Sequence, residues 1–407
     1  MRPSNTLIFL RTDVAFWLVL LMVNLALGQD TKWQPAPGRL MTKWAKDVSP
    51  DNVHPEYPRP MMVRNDWLNL NGLWDFAVVE KNVERPSAWE GKILVPFPIE
   101  SALSGVMRQV NENQRLWYRR TFKVPEAWQG RQILLHFGAV DWETTVWVNG
   151  QVVGTHRGGY DEFGFNITHA LKSEGEQEII VAVWDPTDAG YQPRGKQVRQ
   201  PGGIWYTPTT GIWQTVWVEP VPATYVGAFR VVPDIDNKSV ELSVTLNSSV
   251  ETSVNVRAAA YDGSKEEAHA ETGNIAIARA TTTAKLKISL PVCKLWSPDS
   301  PFLYDLVVAV SENGKEIDRI RGYFGMRKIS LGKDENGTLR LCLNNKPLFQ
   351  FGLLDQGFWP DGIYTAPTDD ALRYDIEMTR ELGYNMARKH VKVEPQRWYY
   401  WADKLGL

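Results

Sequence analysis

Residues 349–407 alternate two strand patterns with two helix patterns, and that order fixes how this stretch can fold. A strand-like run over residues 348–354 leads through a polar loop into a helix pattern over 368–382, stopped by Gly383. A second strand pattern covers 384–393, and a second helix opens at Pro395 and stops at Gly406. Strands joined through a helix run parallel, and a parallel pair is buried on both faces only within a wider sheet. This is how a (β/α)8 TIM barrel begins, and such a barrel takes roughly 250 residues. Residues 341–407 are far too few for one, so the sequence predicts a truncated barrel and a chain that is the front part of a larger protein. Reacting groups in a barrel are spread over several strand ends. Most of those ends are absent here.

Upstream, the patterning is β throughout. Between residues 67 and 219, β-rich segments at 133–137, 178–184 and 212–218 are separated by Gly, Pro and Asp clusters, with no long helical period. Residues 146–153 are two apolar runs flanking Asn149-Gly150, a strong hairpin signal. A jelly-roll sandwich fits residues 29–220. After a linker-like Val221-Pro222-Ala223, short strands at 229–232, 239–246, 253–261, 283–290, 304–311 and 319–324 fit an immunoglobulin-like sandwich over 221–332. The incomplete barrel occupies 333–407. Its first helix has Thr368 as N-cap candidate, Asp369 and Asp370 in the first turn, and Leu372, Ile376, Thr379 and Leu382 on one face.

Charge excludes some partners. Forty-five basic and 47 acidic residues, evenly spread, give no electrostatic case for nucleic acid or an acidic membrane surface. Cys293 and Cys342 are too few for a disulfide framework, and read as two isolated thiols or as one bridge. At the N-terminus, Arg2 and Arg11 precede an apolar run over 14–27, and Ala26-Leu27-Gly28 puts small residues before Gln29. That run is short for a membrane span and suits a signal peptide over 1–28, an uncleaved anchor being the other reading. The expected location is secreted or periplasmic, without stable membrane insertion after cleavage. Sequons at Asn166, Asn237, Asn247 and Asn336 would matter only in a eukaryotic secretory host.

Metal, phosphate-loop and nucleophile-elbow motifs are lacking, so no cofactor or metal is expected. Tryptophan, at 18 residues, is the outlier. Trp74, Trp117, Trp147, Trp184 and Trp217 lie on strand patterns and read as sandwich core. Trp205 and Trp359 lie in Gly/Pro-rich loops, where ligand contact and packing are both open. At the barrel strand ends, Asp355 and Gln356 follow the first strand, and Arg388, Lys389 and His390 close the second. A guanidinium there can hold a carboxylate through a forked hydrogen bond, and His390 can donate to a hydroxyl. The alternative for Arg388 is an ion pair with Glu394 or Asp403. Alternation sends Arg388 and His390 to one side and Lys389 to the other. Glu394, beside Pro395, reads as an N-terminal helix cap.

Several ordered motifs carry a resemblance. Residues 70–76 (LNGLWDF), 95–100 (VPFPIE), 116–122 (LWYRRTF), 135–141 (LHFGAVD), Val148-Asn149-Gly150 and Gly158-Gly159-Tyr160-Asp161 look like the sugar-binding-type domain of glycoside hydrolase family 2. Leu295-Trp296-Ser297-Pro298 and Tyr323-Phe324-Gly325-Met326-Arg327 resemble the end of its immunoglobulin-like domain, and Asn385-Met386-Ala387-Arg388 its second barrel strand. The family contains β-galactosidases, β-glucuronidases and β-mannosidases, retaining enzymes with two catalytic glutamates. By that resemblance both glutamates lie beyond Leu407, and none of the catalytic residues falls in this chain. Three features depart from the galactosidase and glucuronidase pattern: Trp205 where an Asp precedes Gly211, Arg388-Lys389-His390 in place of Arg-x-Ser-His, and Asp355-Gln356-Gly357-Phe358-Trp359 in place of a His-rich loop.

The resemblance implies an exported retaining β-glycosidase acting on a carbohydrate substrate, an oligosaccharide or glycan. Arg388 would orient the nucleophile, and Asp355, Trp359, His390 and Trp205 would line the substrate site. The 407-residue chain alone is expected to be inactive, and a homo-oligomer stays open. A non-catalytic carbohydrate-binding protein, using Trp205 and Tyr206 of the jelly roll as a stacking platform, is the alternative. A purely structural β-protein fits the βαβα tail poorly.

Overall fold

Alternation of apolar and polar residues builds the first pair of sheets in the computed structural model, which describes residues 33–407. The expected signal peptide, residues 1–28, lies outside them. Six antiparallel strands run in the spatial order Gly91–Val95, Gly72–Glu80, Gln114–Phe122, Gln177–Trp184, Glu143–Val148 and Gln151–Arg157. A second sheet orders Leu68–Asn69, Val216–Val221, Gln132–Phe137 and Phe163–Asn166. Trp74, Leu116, Tyr118, Val146, Val148, Ile179 and Val181 of the first sheet share one core with Leu135, Phe137, Val216 and Val218 of the second. The Asn149-Gly150 turn closes its hairpin with φ of +48° and +81°. Both central residues are left-handed, as the tightest hairpin turn requires.

The tryptophans divide differently from expectation. Trp74 fills the interior, but Trp117 sits between the inward-facing Leu116 and Tyr118 and so points the other way. It stacks on Trp147 at 5.4 Å and shares an outer cluster with Ile180 and Ala182. Trp184 follows the inward Val183 and donates its indole N–H to the Glu112 carbonyl at 2.8 Å. Trp217 is buried on the outer side of the second sheet, stacked on His136 at 4.9 Å with the Arg59 guanidinium 5.3 Å from its ring.

A second pair of sheets follows. One orders Thr224–Asp234, Ser239–Ser248 and Thr281–Ser289. The other orders Lys265–Glu271, Thr252–Asp262, Tyr304–Glu312 and Lys315–Phe324, with Ile275–Ile277 also paired to Thr252–Asp262. Val240, Leu242, Val244 and Leu246 face Val254, Val256, Leu306, Val308 and Val310 across the core. Lys265–Glu271, unread in the sequence, is a charged edge strand, where charge discourages pairing with other chains. Cys293 and Cys342 are both free thiols.

Residues 53–64, which show no periodicity, tie the two pairs of sheets together through buried charge. Arg59 donates to Glu219, and Tyr57 Oη donates to the same carboxylate at 2.8 Å. His136 Nε2 lies 3.0 Å and Arg64 Nε 3.7 Å from Glu219. Arg64 also forks onto Asp318 of Lys315–Phe324 and donates to the Val226 carbonyl at 2.8 Å. Glu219, Arg64 and Asp318 have at most 5% of their surface exposed.

The tail holds one parallel pair, Gly352–Asp355 and Met386–Lys389, with Leu354 opposite Arg388 and Asp355 opposite Lys389. Helix α1 is Asp369–Glu381, capped by Thr368 Oγ1, which accepts from the Ala371 amide at 3.2 Å. Helix α2 is Gln396–Leu405, ended by Gly406 at φ +84°. Ala371, Leu372 and Ile376 of α1 pack on Trp398 and Ala402 of α2. Leu382, expected on the buried face of α1, is exposed because the helix has already ended. Among the described residues, no helix is long and apolar enough to cross a membrane.

Candidate functional site

The parallel pair ends in a network of buried charge. The Lys389 ammonium lies 2.8 Å from Asp355 Oδ2 and 2.6 Å from Glu394 Oε1. Lys392 has no exposed side-chain surface; its ammonium pairs with Glu394 Oε2 at 3.1 Å and donates to the carbonyls of Gly357 at 2.6 Å and Tyr364 at 2.8 Å. The chain turns at Val391, φ +59°, which points Lys392 back under the loop that follows the first strand. Asp375 of α1 faces the same network. Burial, then the neighbouring charges of Asp355 and Glu394, push its carboxyl up to about 6.

Above the strand ends lies a loop from the first pair of sheets, closed by a parallel bridge between Gln197 and Tyr206. The Tyr206 amide donates to the Lys196 carbonyl at 2.9 Å, and the Val198 amide to the Tyr206 carbonyl at 3.0 Å. Tyr206 stacks on Phe358 at 4.0 Å with rings 15° from parallel. Gly195, at φ +60°, comes so close that an added Cβ would lie 2.3 Å from the Val391 carbonyl oxygen. Phe358, Tyr364 and Trp213 continue the aromatic contact inward. On the open side, Gln356 Nε2 lies 2.9 Å from His390 Nδ1.

Known proteins share this arrangement of sheets. A sequence model described as glycosyl hydrolases family 2, sugar binding domain, matches residues 92–205, and one described as glycosyl hydrolases family 2 matches residues 224–327. The chain belongs to glycosyl hydrolase family 2. This family-2 chain is 25% identical over 351 residues to a β-galactosidase of Thermoanaerobacter pseudethanolicus, covering 84% of this chain and 44% of that protein. It is 23% identical over 363 residues to a β-glucuronidase of Bacteroides fragilis, covering 84% of this chain and 49% of that one. It thus spans less than half the length of either relative. In fold it resembles a β-glucuronidase of Bacteroides uniformis, with a TM-score of 0.67 at 22% identity over 84% of this chain and 41% of that chain. A Ruminococcus gnavus β-glucuronidase gives 0.68 at 19% identity over 87% and 60%.

Within the family-2 chain, Arg388 and His390 lie beside Asp355 at the strand ends, with Gln356 joined to His390. Arg388 is exposed and makes no ion pair among the described residues. Its two expected partners are engaged elsewhere, Glu394 by Lys389 and Lys392, Asp403 by Arg327 at 2.6 Å. Glu394 is no cap: Pro395 holds the N-cap position of α2, without a side-chain hydrogen bond, and the Glu394 carboxylate is buried between two lysines. Trp205 is 42% exposed on that loop, its ring 6.0 Å from the Arg194 guanidinium. Trp359 instead packs edge-on against Trp44 at 6.0 Å, in the cluster under α1 and α2. Phe358 and Lys392 escaped the sequence reading. The aromatic Phe358-Trp359 pair was a visible signal, but which ring faced the site depends on the turn.

Proposed function

We propose that this chain supplies the accessory domains and the first two βα units of an exported retaining β-glycosidase. In this reading residues 29–220 are a jelly roll, 221–332 an immunoglobulin-like sandwich and 333–407 the opening of a (β/α)8 barrel. The observation that carries it is the unpaired Arg388 beside His390 at the ends of a parallel strand pair. Further support comes from the apolar surface around that pair: Phe349, Phe351, Leu353 and Leu354 are all exposed, as strands prepared for neighbours would be. Export rests on residues 14–27 alone.

Retention at an anomeric carbon needs two carboxyls about 5–5.5 Å apart, one protonating the leaving oxygen and one attacking. Asp355 and Glu394 are poor candidates, since lysines already neutralise both. The reacting pair is therefore placed on later strands, where the free Arg388 guanidinium would hold the nucleophile ionised and oriented. His390, steadied by Gln356, would donate to a sugar hydroxyl, and Trp205 would stack on a sugar ring. The purified 407-residue chain is expected to leave a panel of aryl β-glycosides intact. Hydrolysis that a single substitution within the chain abolishes would refute the assignment of the reacting pair.

The exposed Trp205 also favours a second reading, a non-catalytic carbohydrate-binding protein. Titration calorimetry of the chain with oligosaccharides separates the two. We expect binding no tighter than about 1 mM, which corresponds to about 4 kcal/mol. Micromolar affinity lost in Trp205→Ala would favour the binding protein.

A further inference from the structure

Among the described residues, three carboxyls lie behind the loop at residues 187–210 without a cation among them. Glu100, Asp141 and Asp185 are each 2% exposed. The hydrogen bonds they accept from this loop come from neutral donors. Gln197 Nε2 donates to Asp141 at 2.9 Å. The Thr187 amide donates to Asp185 at 2.7 Å and Thr210 Oγ1 to the same group at 3.0 Å. The Thr210 amide donates to Glu100 at 2.9 Å, while Glu100 Oε1 and the neighbouring Thr209 Oγ1 are buried with no partner.

The surrounding titratable groups bring no compensating charge. Asp188, which faces Asp185, is itself paired with Arg199 at 2.8 Å. Tyr118 faces Glu100, and Tyr160 and Tyr364 face Asp141. Lys392 reaches the Tyr364 carbonyl but is committed to Glu394. Several kcal/mol is the scale for burying an unpaired carboxylate, so such groups keep their protons instead. Burial raises all three carboxyls, with repulsion from Asp185 adding to it at Asp141, and Glu100 reaches about 8.

Thr187, Gln197, Thr209 and Thr210 bracket one loop, and that loop carries Trp205 and Tyr206. We infer that Glu100, Asp141 and Asp185 form a proton-held latch on residues 187–210, whose ionisation loosens the loop and withdraws Tyr206 from Phe358. The loop's donors favour the ionised carboxyls, but burial and mutual repulsion outweigh them, and a second negative charge confined beside the first is relieved when the loop opens to water. The sign follows from the raised native values. The latch is fully closed below the ordinary carboxylate range and weakens as pH rises toward about 8. The inference rests on the proposed sugar site only for its consequence, because the latch can be measured without substrate.

Hydrogen exchange of the full chain, corrected for intrinsic rates, reads the latch directly. Peptides within 187–210 are expected to lose at least tenfold protection between pH 5 and pH 8, while Thr252–Asp262 keeps its protection. In Glu100→Gln the loss should be at least threefold smaller. Flat protection in the loop, parallel loss in Thr252–Asp262, or an unchanged pH slope in the variant would each overturn the latch. Should Glu100→Gln fail to fold, Asp185→Asn provides the same comparison. A carbon-detected titration of the wild-type chain placing Glu100 in the ordinary carboxylate range would overturn it as well.

Discussion

Glu219→Ala is expected to be among the most damaging single changes to this chain, at about 3–5 kcal/mol, the scale for removing one partner of a buried ion pair. Glu219 accepts from Arg59 and from Tyr57, and lies 3.0 Å from His136. Its removal leaves Arg59 buried against Trp217 with only the more exposed Glu162, 3.2 Å away, as an acidic partner. The loss should appear as a lower midpoint of thermal unfolding, and Glu219→Gln, which keeps the shape without the charge, should recover only part of it. Burial alone would raise the Glu219 carboxyl, but Arg59, His136 and Arg64 outweigh it and hold the group far below its ordinary range. The contribution is therefore present above about pH 4 and is lost as acid titrates the native carboxylate. A Glu219→Ala midpoint equal to wild type at pH 7 would show that the strap at residues 53–64 is held by packing alone.

Lys392→Ala should have a comparable effect confined to the tail. Three acceptors converge on one buried ammonium, the Gly357 and Tyr364 carbonyls and Glu394. Truncation leaves two carbonyls without their donor and halves the charge compensation of a buried carboxylate, again on the scale of about 3–5 kcal/mol. Lys392→Met restores the volume but not the charge and is expected to be nearly as harmful. Faster proteolysis of residues 356–366 is the readout, with the second pair of sheets as internal reference. If Lys392→Met matches wild type, packing against Tyr364 and Trp213 matters more than charge.

Period-two alternation made most strands legible, and it also held the answer to which way Trp117 and Trp147 face, since each lies between two inward apolar residues. A strand tryptophan belongs to the core only where its own position in the alternation faces inward, as at Trp74. Turn chemistry marked the Asn149-Gly150 hairpin and the Thr368 cap because both depend on adjacent residues only. Residues 53–64 had no such signal, for Arg59 and Arg64 find partners more than a hundred residues away. At the site, alternation separated Lys389 from Arg388 and His390. The role of Lys392 could not be read, because the left-handed turn at Val391 breaks the strand pattern before it.

The contact between Tyr206 and Phe358 has a consequence for how such a protein can diversify. The ceiling over the strand ends belongs to a different sheet system from the floor, and the two are joined by stacked rings and one close glycine. Lengthening or recolouring that ceiling would change which ligands gain entry while leaving the geometry beneath it untouched.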